Sequence, residues 1–213
     1  MSGKYGIIYE DEYLLVVDKP SGLLTIPTPK NEANTLTDII NRDLDRRGVE
    51  VNAYPCHRLD RETSGIIVYA KGKKMQKAMM DAFKTRSVKK KYLAFLHGVV
   101  QKNFDIVKVP IYNRNKSRVD PAETRYKVVR RERDLTVVEA EPVTGRTNQI
   151  RIHMKHIGHP LVGESVYAFR KDHALKFKRV ALHAAAIAFI HPATKRELEF
   201  VSPLPADMAG LLS

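Results

Sequence analysis

At 213 residues, 43% of them hydrophobic, the chain has enough apolar material for one large domain or two small ones with a substantial core. Its 37 Lys+Arg against 24 Asp+Glu give a formal charge of +13, which points to a polyanionic partner. A lone cysteine, Cys56, excludes an intrachain disulfide, and no run approaches the roughly 20 apolar residues of a membrane-spanning helix. The expected setting is therefore nucleic acid in the cytoplasm, with no membrane association. The N-terminus runs straight into a strand-like segment, so no signal peptide is expected.

In chain order, the apolar runs Tyr5–Tyr9 and Tyr13–Val17 flank Glu10-Asp11-Glu12 and predict a hairpin. Pro20, Gly22, Pro27 and Pro29 mark a long loop. Thr35–Arg47 predicts a helix, since Thr35 with Asp38 has capping-box spacing, Leu36, Ile39, Ile40 and Leu44 fall near helical spacing, and Gly48 supplies the stop. After the Thr63-Ser64-Gly65 turn, Ile66–Ala70 predicts a strand. Lys73–Arg86 predicts a helix with Met75, Ala78, Met79, Ala82 and Phe83 on its core face. Lys90–Leu96, Phe104–Val109, Thr124–Arg130 and Leu135–Val143 predict successive strands, with Asn113–Arg118 a polar, basic loop. Gln149–Ile157 predicts a short helix, with Ile150, Met154 and Ile157 sharing a face. Leu182–Ile190 and Glu197–Val201 predict a final hairpin. Strands dominate and do not alternate with helices, which disfavours a doubly wound parallel sheet. The expected fold class is α+β: one domain over residues 1–213, with a mixed, largely antiparallel sheet and peripheral helices.

The most informative stretch is His57-Arg58-Leu59-Asp60-Arg61-Glu62-Thr63-Ser64-Gly65. It sets one carboxylate between two arginines on a loop that enters a strand, a usual location for reactive groups. The flanking cations favour the ionised form of Asp60, which suits nucleophilic attack on an electrophilic carbon near a phosphate backbone. A salt-bridged turn is the alternative for R-x-D-R taken alone. His57 to Lys71 resembles the HRLD-x-x-TSG-(four apolar)-AK signature of the RluA family of RNA pseudouridine synthases. Three further segments resemble that family in the same order: Asp18–Leu24, the strand around Lys91-Tyr92-Leu93-Ala94, and Thr144–His153 followed by Gly158–Gly163. A family-like run also extends from Leu182 to Pro205.

The resemblance implies a single pseudouridine-synthase-like domain whose sheet is crossed by a central RNA cleft. It implies isomerisation of uridine to pseudouridine with no cofactor, no metal and no net water. It assigns Asp60 as the essential carboxylate, Tyr92 as a residue that stacks on the uracil and moves a proton, and Arg151 as the partner of that carboxylate. Arg58 would occupy the space vacated by the flipped uridine, Ile150 would close the pocket, and Arg146 would meet phosphate. Glu62 is read as structural. Asn148 departs from the usual family His, and the doubt falls on local hydrogen bonding. An S4-type RNA-binding module is not expected, so RNA affinity would come from Lys89–Lys91, Arg114, Lys116, Arg118 and Arg146, acting in a monomer.

Other chemistries are weaker. His153, His156 and His159 have no accompanying HExxH glutamate or cysteine pair, and Gly158 with Pro160 ends the helix before His159. Cys56 and His57 are neighbours on an extended segment and point apart. The rival from another class is a noncatalytic RNA-binding or RNA-folding protein on the same scaffold. Retention of Asp60, Tyr92 and Arg151 argues against it, since phosphate binding alone requires none of them.

Overall fold

A computed structural model describes residues 5–29, 32–113, 116–168 and 175–212. In chain order the elements are β1 (Gly6–Glu10), β2 (Leu14–Lys19), α1 (Leu36–Arg46), β3 (Ala53–Pro55), β4 (Ser64–Lys71), α2 (Lys73–Lys84), β5 (Lys89–His97), β6 (Phe104–Val107), β7 (Ile111–Asn113) and β8 (Arg118–Asp120). They continue with β9 (Thr124–Arg131), β10 (Leu135–Pro142), α3 (Gln149–His156), β11 (Leu182–Ile190), β12 (Glu197–Val201) and α4 (Ala206–Ala209), followed by a short 3-10 turn. The chain divides into two compact units, each made of two stretches. Residues up to Val88 join Ala184–Pro203, and Lys89–His183 joins the residues from Leu204 onward.

In the first unit, β2 pairs antiparallel with β1 and β4, β3 also pairs with β4, and β12 pairs with β11, which lies beside β4. Four consecutive residues of β2, Leu14–Val17, are fully buried, as expected for a strand covered on both faces. Leu14 and Val16 pack with Ile66, Val68, Met79, Ile187 and Phe189, so α2 and β11 close one side of this core. The Thr35/Asp38 capping box starts α1 as expected, and Gly48 follows its end in the left-handed region. The Asn41 amide on α1 donates to the Ala53 carbonyl (3.2 Å) and accepts from its N–H (2.7 Å), which ties helix to strand.

In the second unit the strand order is β5–β10–β9–β6, all antiparallel, while β7 and β8 form a separate antiparallel hairpin. Side chains alternate across β5. Ala94 and Leu96 join Val138, Ala140, Ile150 and Met154 on the α3 side, whereas Phe95 packs with Val137, Val162, Ala181 and Met208. A bidentate pair between Arg179 and Asp207 (2.6 and 2.9 Å) holds α4 against this second cluster. The antiparallel ladders of both units agree with the expected α+β class.

The differences from expectation are local. The short strand β3 has no counterpart in the sequence pattern, because three residues carry too little periodicity. Asn113–Arg118 is not simply a loop: Asn113 and Arg118 are cross-strand partners in β7–β8, and Arg114 lies outside the described residues. Among the described residues no helix is long and apolar enough to cross a membrane.

Gly65 lies at the start of β4 with φ +108°, and a Cβ there would lie 2.3 Å from the Ala184 carbonyl oxygen. Both the backbone angle and the approach require glycine. Gly65→Ala is expected to lower stability by roughly 3 kcal/mol, the size of a strained backbone plus a core clash, as read by urea unfolding. An effect within about 0.5 kcal/mol, typical of an unconstrained surface site, would contradict this account.

Candidate active site

The loop between β3 and β4 carries Arg58 and Asp60. Its backbone is tied, carbonyl by carbonyl, to the loop that follows β2. Thr25 Oγ1 donates to the Leu59 carbonyl (3.0 Å) and accepts from the Leu59 N–H (3.3 Å). Ser21 Oγ donates to the Glu62 carbonyl (2.7 Å), and Gly22 N–H to the Arg61 carbonyl (2.8 Å). At the centre is Lys19, fully buried, whose ammonium donates to the carbonyls of Pro20 (3.0 Å), Leu23 (2.7 Å) and Arg61 (3.1 Å). A buried ammonium is tolerable only with such partners. At the other end of the loop, His57 Nε2 accepts the Val68 N–H (3.1 Å), and its ring packs on Phe83 at 4.8 Å. The outcome is a rigid arch with Leu59 buried beneath it, Asp60 half-buried and Arg58 exposed.

Tyr92, Ile150, Arg151 and Arg146 lie in the second unit. Tyr92 packs against the cluster that holds Ile150, which is 6% exposed, so strand alternation and helix phase bring these two to one cluster. Lys91 points the other way, to Glu139 at 3.1 Å. Lys90 shares the Tyr92 face, and burial pushes its ammonium below the usual lysine value.

Arg151 is held on several sides. Its Nε and Nη2 donate to the two oxygens of Glu164 (2.7 and 2.8 Å), and its Nη1 donates to Asn148 Oδ1 (2.9 Å). Its guanidinium carbon lies 5.2 Å from the Tyr167 ring centroid, and the Tyr167 hydroxyl accepts from Asn148 Nδ2 (3.2 Å). Burial alone would raise the Glu164 carboxyl, but Arg151 and the N–H groups of Val166 and Tyr167 hold it below the ordinary value. Asn148 sits at φ 54°, a left-handed position that asparagine tolerates better than most residues. The departure from the usual family His therefore touches Arg151 directly. Arg146 donates through Nε to the Pro121 carbonyl (3.1 Å), with Nη1 3.9 Å from Asp120. Arg118 also pairs with Asp120 (2.8 Å), so two cations expected to serve RNA share one buried carboxylate.

The residues of the weaker chemistries have other roles. His153 Nε2 and His159 Nδ1 each hydrogen-bond a backbone carbonyl, of Val109 and His97 respectively, both at 2.9 Å. Among the described residues no group of His, Cys, Asp or Glu is arranged to hold a metal. Cys56 is buried, which pushes its thiol up to about 12.

Two residues of consequence carry no distinguishing signal in the sequence. Lys19 reads there only as part of a motif, because lysines are rarely buried. Glu164 is a lone acid just after Gly163, and its partner lies on a helix. Gly163 itself sits at φ 76° with the Arg179 carbonyl where a Cβ would be, which turns the chain so that Glu164 reaches Arg151.

The family model described as RNA pseudouridylate synthase matches residues 13–156. The dual-specificity RNA pseudouridine synthase RluA of Vibrio cholerae is 40% identical over 198 residues, which span 87% of this chain and 77% of that protein. The uncharacterized RNA pseudouridine synthase YlyB of Bacillus subtilis is 36% identical over 217 residues, spanning 97% and 71%. The solved structure of human RNA pseudouridylate synthase domain containing 4 superposes with a TM-score of 0.82 at 26% identity, over 97% of this chain and 91% of that one. The chain belongs to the RNA pseudouridylate synthase family, whose activity is the isomerisation of uridine to pseudouridine.

Lys19→Met should remove the charge that satisfies three carbonyls while keeping the chain length. A loss of roughly 2–4 kcal/mol is expected in urea unfolding, because buried acceptors left unsatisfied cost about 1–3 kcal/mol each. A neutral outcome would mean that the loop pair is held without the ammonium.

Proposed function

We propose that this protein converts specific uridines to pseudouridine in structured ribosomal or transfer RNA, acting as a cytoplasmic monomer with Asp60 as its nucleophile. The observation that supports this best is the arch carrying Asp60, whose carbonyls are fixed by Lys19, Thr25 and Ser21 within the matched segment. A phosphate-binding loop gains little from fixing the backbone on either side of one carboxylate, whereas a nucleophile does.

In this reading the Asp60 carboxylate attacks the ribose C1′ or the uracil C6. The N1–C1′ bond breaks, the base rotates, C5 bonds to C1′, and the bond to Asp60 breaks so that the carboxylate is regenerated. The proton on C5 then leaves and N1 gains one, so atoms balance with no redox change. Tyr92 stacks on the uracil and takes part in the final proton transfer, with Ile150 closing the pocket beside it. Arg151 is the partner this reading assigns to the catalytic carboxylate. Arg58, exposed on the arch, fills the gap left by the flipped nucleotide, where a planar cation replaces part of the lost stacking. Arg146 meets phosphate.

Release of tritium from RNA bearing 5-³H-uridine, with the RNA left intact, distinguishes this from a noncatalytic RNA-binding protein and from a nuclease. Release should persist in excess EDTA. Asp60→Asn should lower release by about a thousandfold or more while RNA binding stays near wild type, since it removes the nucleophile and not the basic surface. Release within about tenfold of wild type would defeat the assignment. Arg58→Ala should slow reaction on a structured stem–loop more than on a minimal single-stranded substrate; equal losses on both would argue against the wedge.

A further inference from the structure

Two peptide planes flank Asp60, and both are held. The plane that carries the Leu59 carbonyl also carries the Asp60 N–H, because a peptide unit is rigid. Thr25 Oγ1 grips that side twice, on the Leu59 carbonyl (3.0 Å) and on the Leu59 N–H (3.3 Å). The plane beyond is held by the Thr63 N–H, which donates to the Asp60 carbonyl (3.1 Å).

Thr25 is 2% exposed and is anchored from behind. The first turn of a helix has N–H groups with no partner inside it. In α1 the Leu36 N–H donates to the Leu24 carbonyl (2.8 Å) and the Thr37 N–H to the Thr25 carbonyl (3.2 Å). The Thr37 hydroxyl donates to the same Thr25 carbonyl (2.7 Å). Its single proton is thereby used, so in the 3.1 Å contact between Thr37 Oγ1 and the Tyr69 hydroxyl the tyrosine is the donor. Tyr69 is fully buried in β4, and burial pushes its phenol well above the usual value, so it keeps the proton it donates. A directional polar chain thus runs from Tyr69 through Thr37 and Thr25 to Leu59, from a core strand to the residue before Asp60.

We propose that Thr25 is a positioning residue for the isomerisation: its hydroxyl, held in place through Thr37 and Tyr69, sets the peptide plane from which the Asp60 side chain projects. The proposal rests on Asp60 being the nucleophile in the proposed function. A residue as buried as Thr25 does not touch RNA; it acts through Leu59. Valine at this position has the same shape without the hydroxyl, so the Leu59 peptide could turn. A carboxylate misplaced by about 1 Å can lose on the order of a hundredfold in rate.

A role in stability alone is the competing account, because Thr25 also joins two loops within the core. The two accounts separate in single-turnover tritium release at saturating 5-³H-uridine RNA, measured with RNA Kd and thermal unfolding, at a temperature well below each variant's Tm. Thr25→Val should lower the rate roughly 10- to 100-fold with Kd within about twofold, as expected for a misplaced nucleophile on an unchanged RNA surface. Thr25→Ser keeps the hydroxyl and should recover most of that rate. Tyr69→Phe removes the donor at the far end of the chain and should slow release by a smaller factor, about two- to fivefold. In the double variant Thr25→Val/Tyr69→Phe the second substitution should slow release no further, because its effect reaches Asp60 through the hydroxyl already lost.

A wild-type rate for Thr25→Val or Tyr69→Phe, an equal loss in Thr25→Ser and Thr25→Val, or losses that multiply in the double variant overturns the proposal. If Thr25→Val does not fold, Thr37→Val takes its place. It leaves the Thr25 hydroxyl but removes one of its supports, so a smaller rate loss at unchanged Kd, restored by Thr37→Ser, is expected, and a wild-type rate is again fatal. Absence of release from the wild type, or release by Asp60→Asn within about tenfold of it, defeats the underlying assignment instead, whatever the Thr25 variants do.

Discussion

The arrangement of the first unit depends on one buried ammonium. Lys19 is the last residue of β2, and in the β2–β4 ladder it stands opposite Gly65. The ladder therefore fixes its Cα, and its side chain transmits that position to the Pro20, Leu23 and Arg61 carbonyls. Gly65 is itself fixed by the close approach of the Ala184 backbone. A chain of contacts thus runs from β11 through β4 and β2 to the residue next to Asp60. The β2–β4 register is thereby converted into the placement of the loop that carries Asp60. A slip by one residue would carry the ammonium to the opposite face, away from those carbonyls.

The second unit reaches comparable precision by another route. Tyr92 projects from the middle of a strand, and Ile150 and Arg151 from the first turn of a helix, so regular backbone does what hydrogen bonds do for the Asp60 arch. Only the arginine, with its long flexible stem, needs further restraint. It receives that restraint from a carboxylate, an amide and a ring drawn from α3 and the turn after Gly163. The left-handed backbone at Asn148 is the local irregularity that lets its amide fold back onto the helix it precedes.

Much of this is legible in the sequence where periodicity and cap chemistry agree. The Thr35/Asp38 capping box, the Gly48 stop, the methionine face of α2 and the alternation on β5 all lie where local rules put them. The HRLD arch and the TSG turn stand out because one carboxylate lies between two arginines at the entrance to a strand and the run resembles a family signature. What escapes a sequence reading is tertiary. Nothing local marks Lys19 as buried, since its acceptors come partly from residues more than forty positions away. Glu164 is thirteen positions from Arg151, and the two meet only because Gly163 turns the chain against Arg179. The β7–β8 hairpin is hidden because its strands are three residues long. Counting cations also overstates those available to RNA, because Lys91, Arg118 and Arg146 each have carboxylate neighbours within the fold.

The path of the chain has a consequence for its biosynthesis. The core of the first unit includes Ile187 and Phe189, which belong to a stretch that returns after all of Lys89–His183 has been made. On the ribosome, the apolar face of β2 and β4 must therefore wait, unsealed, for several seconds at roughly 5–20 residues per second. During that interval β4 lacks its neighbour β11, a vacant edge that invites pairing with other nascent chains. The second core waits longer still, for Met208. The first unit thus completes its core only after the whole of Lys89–His183 has been made.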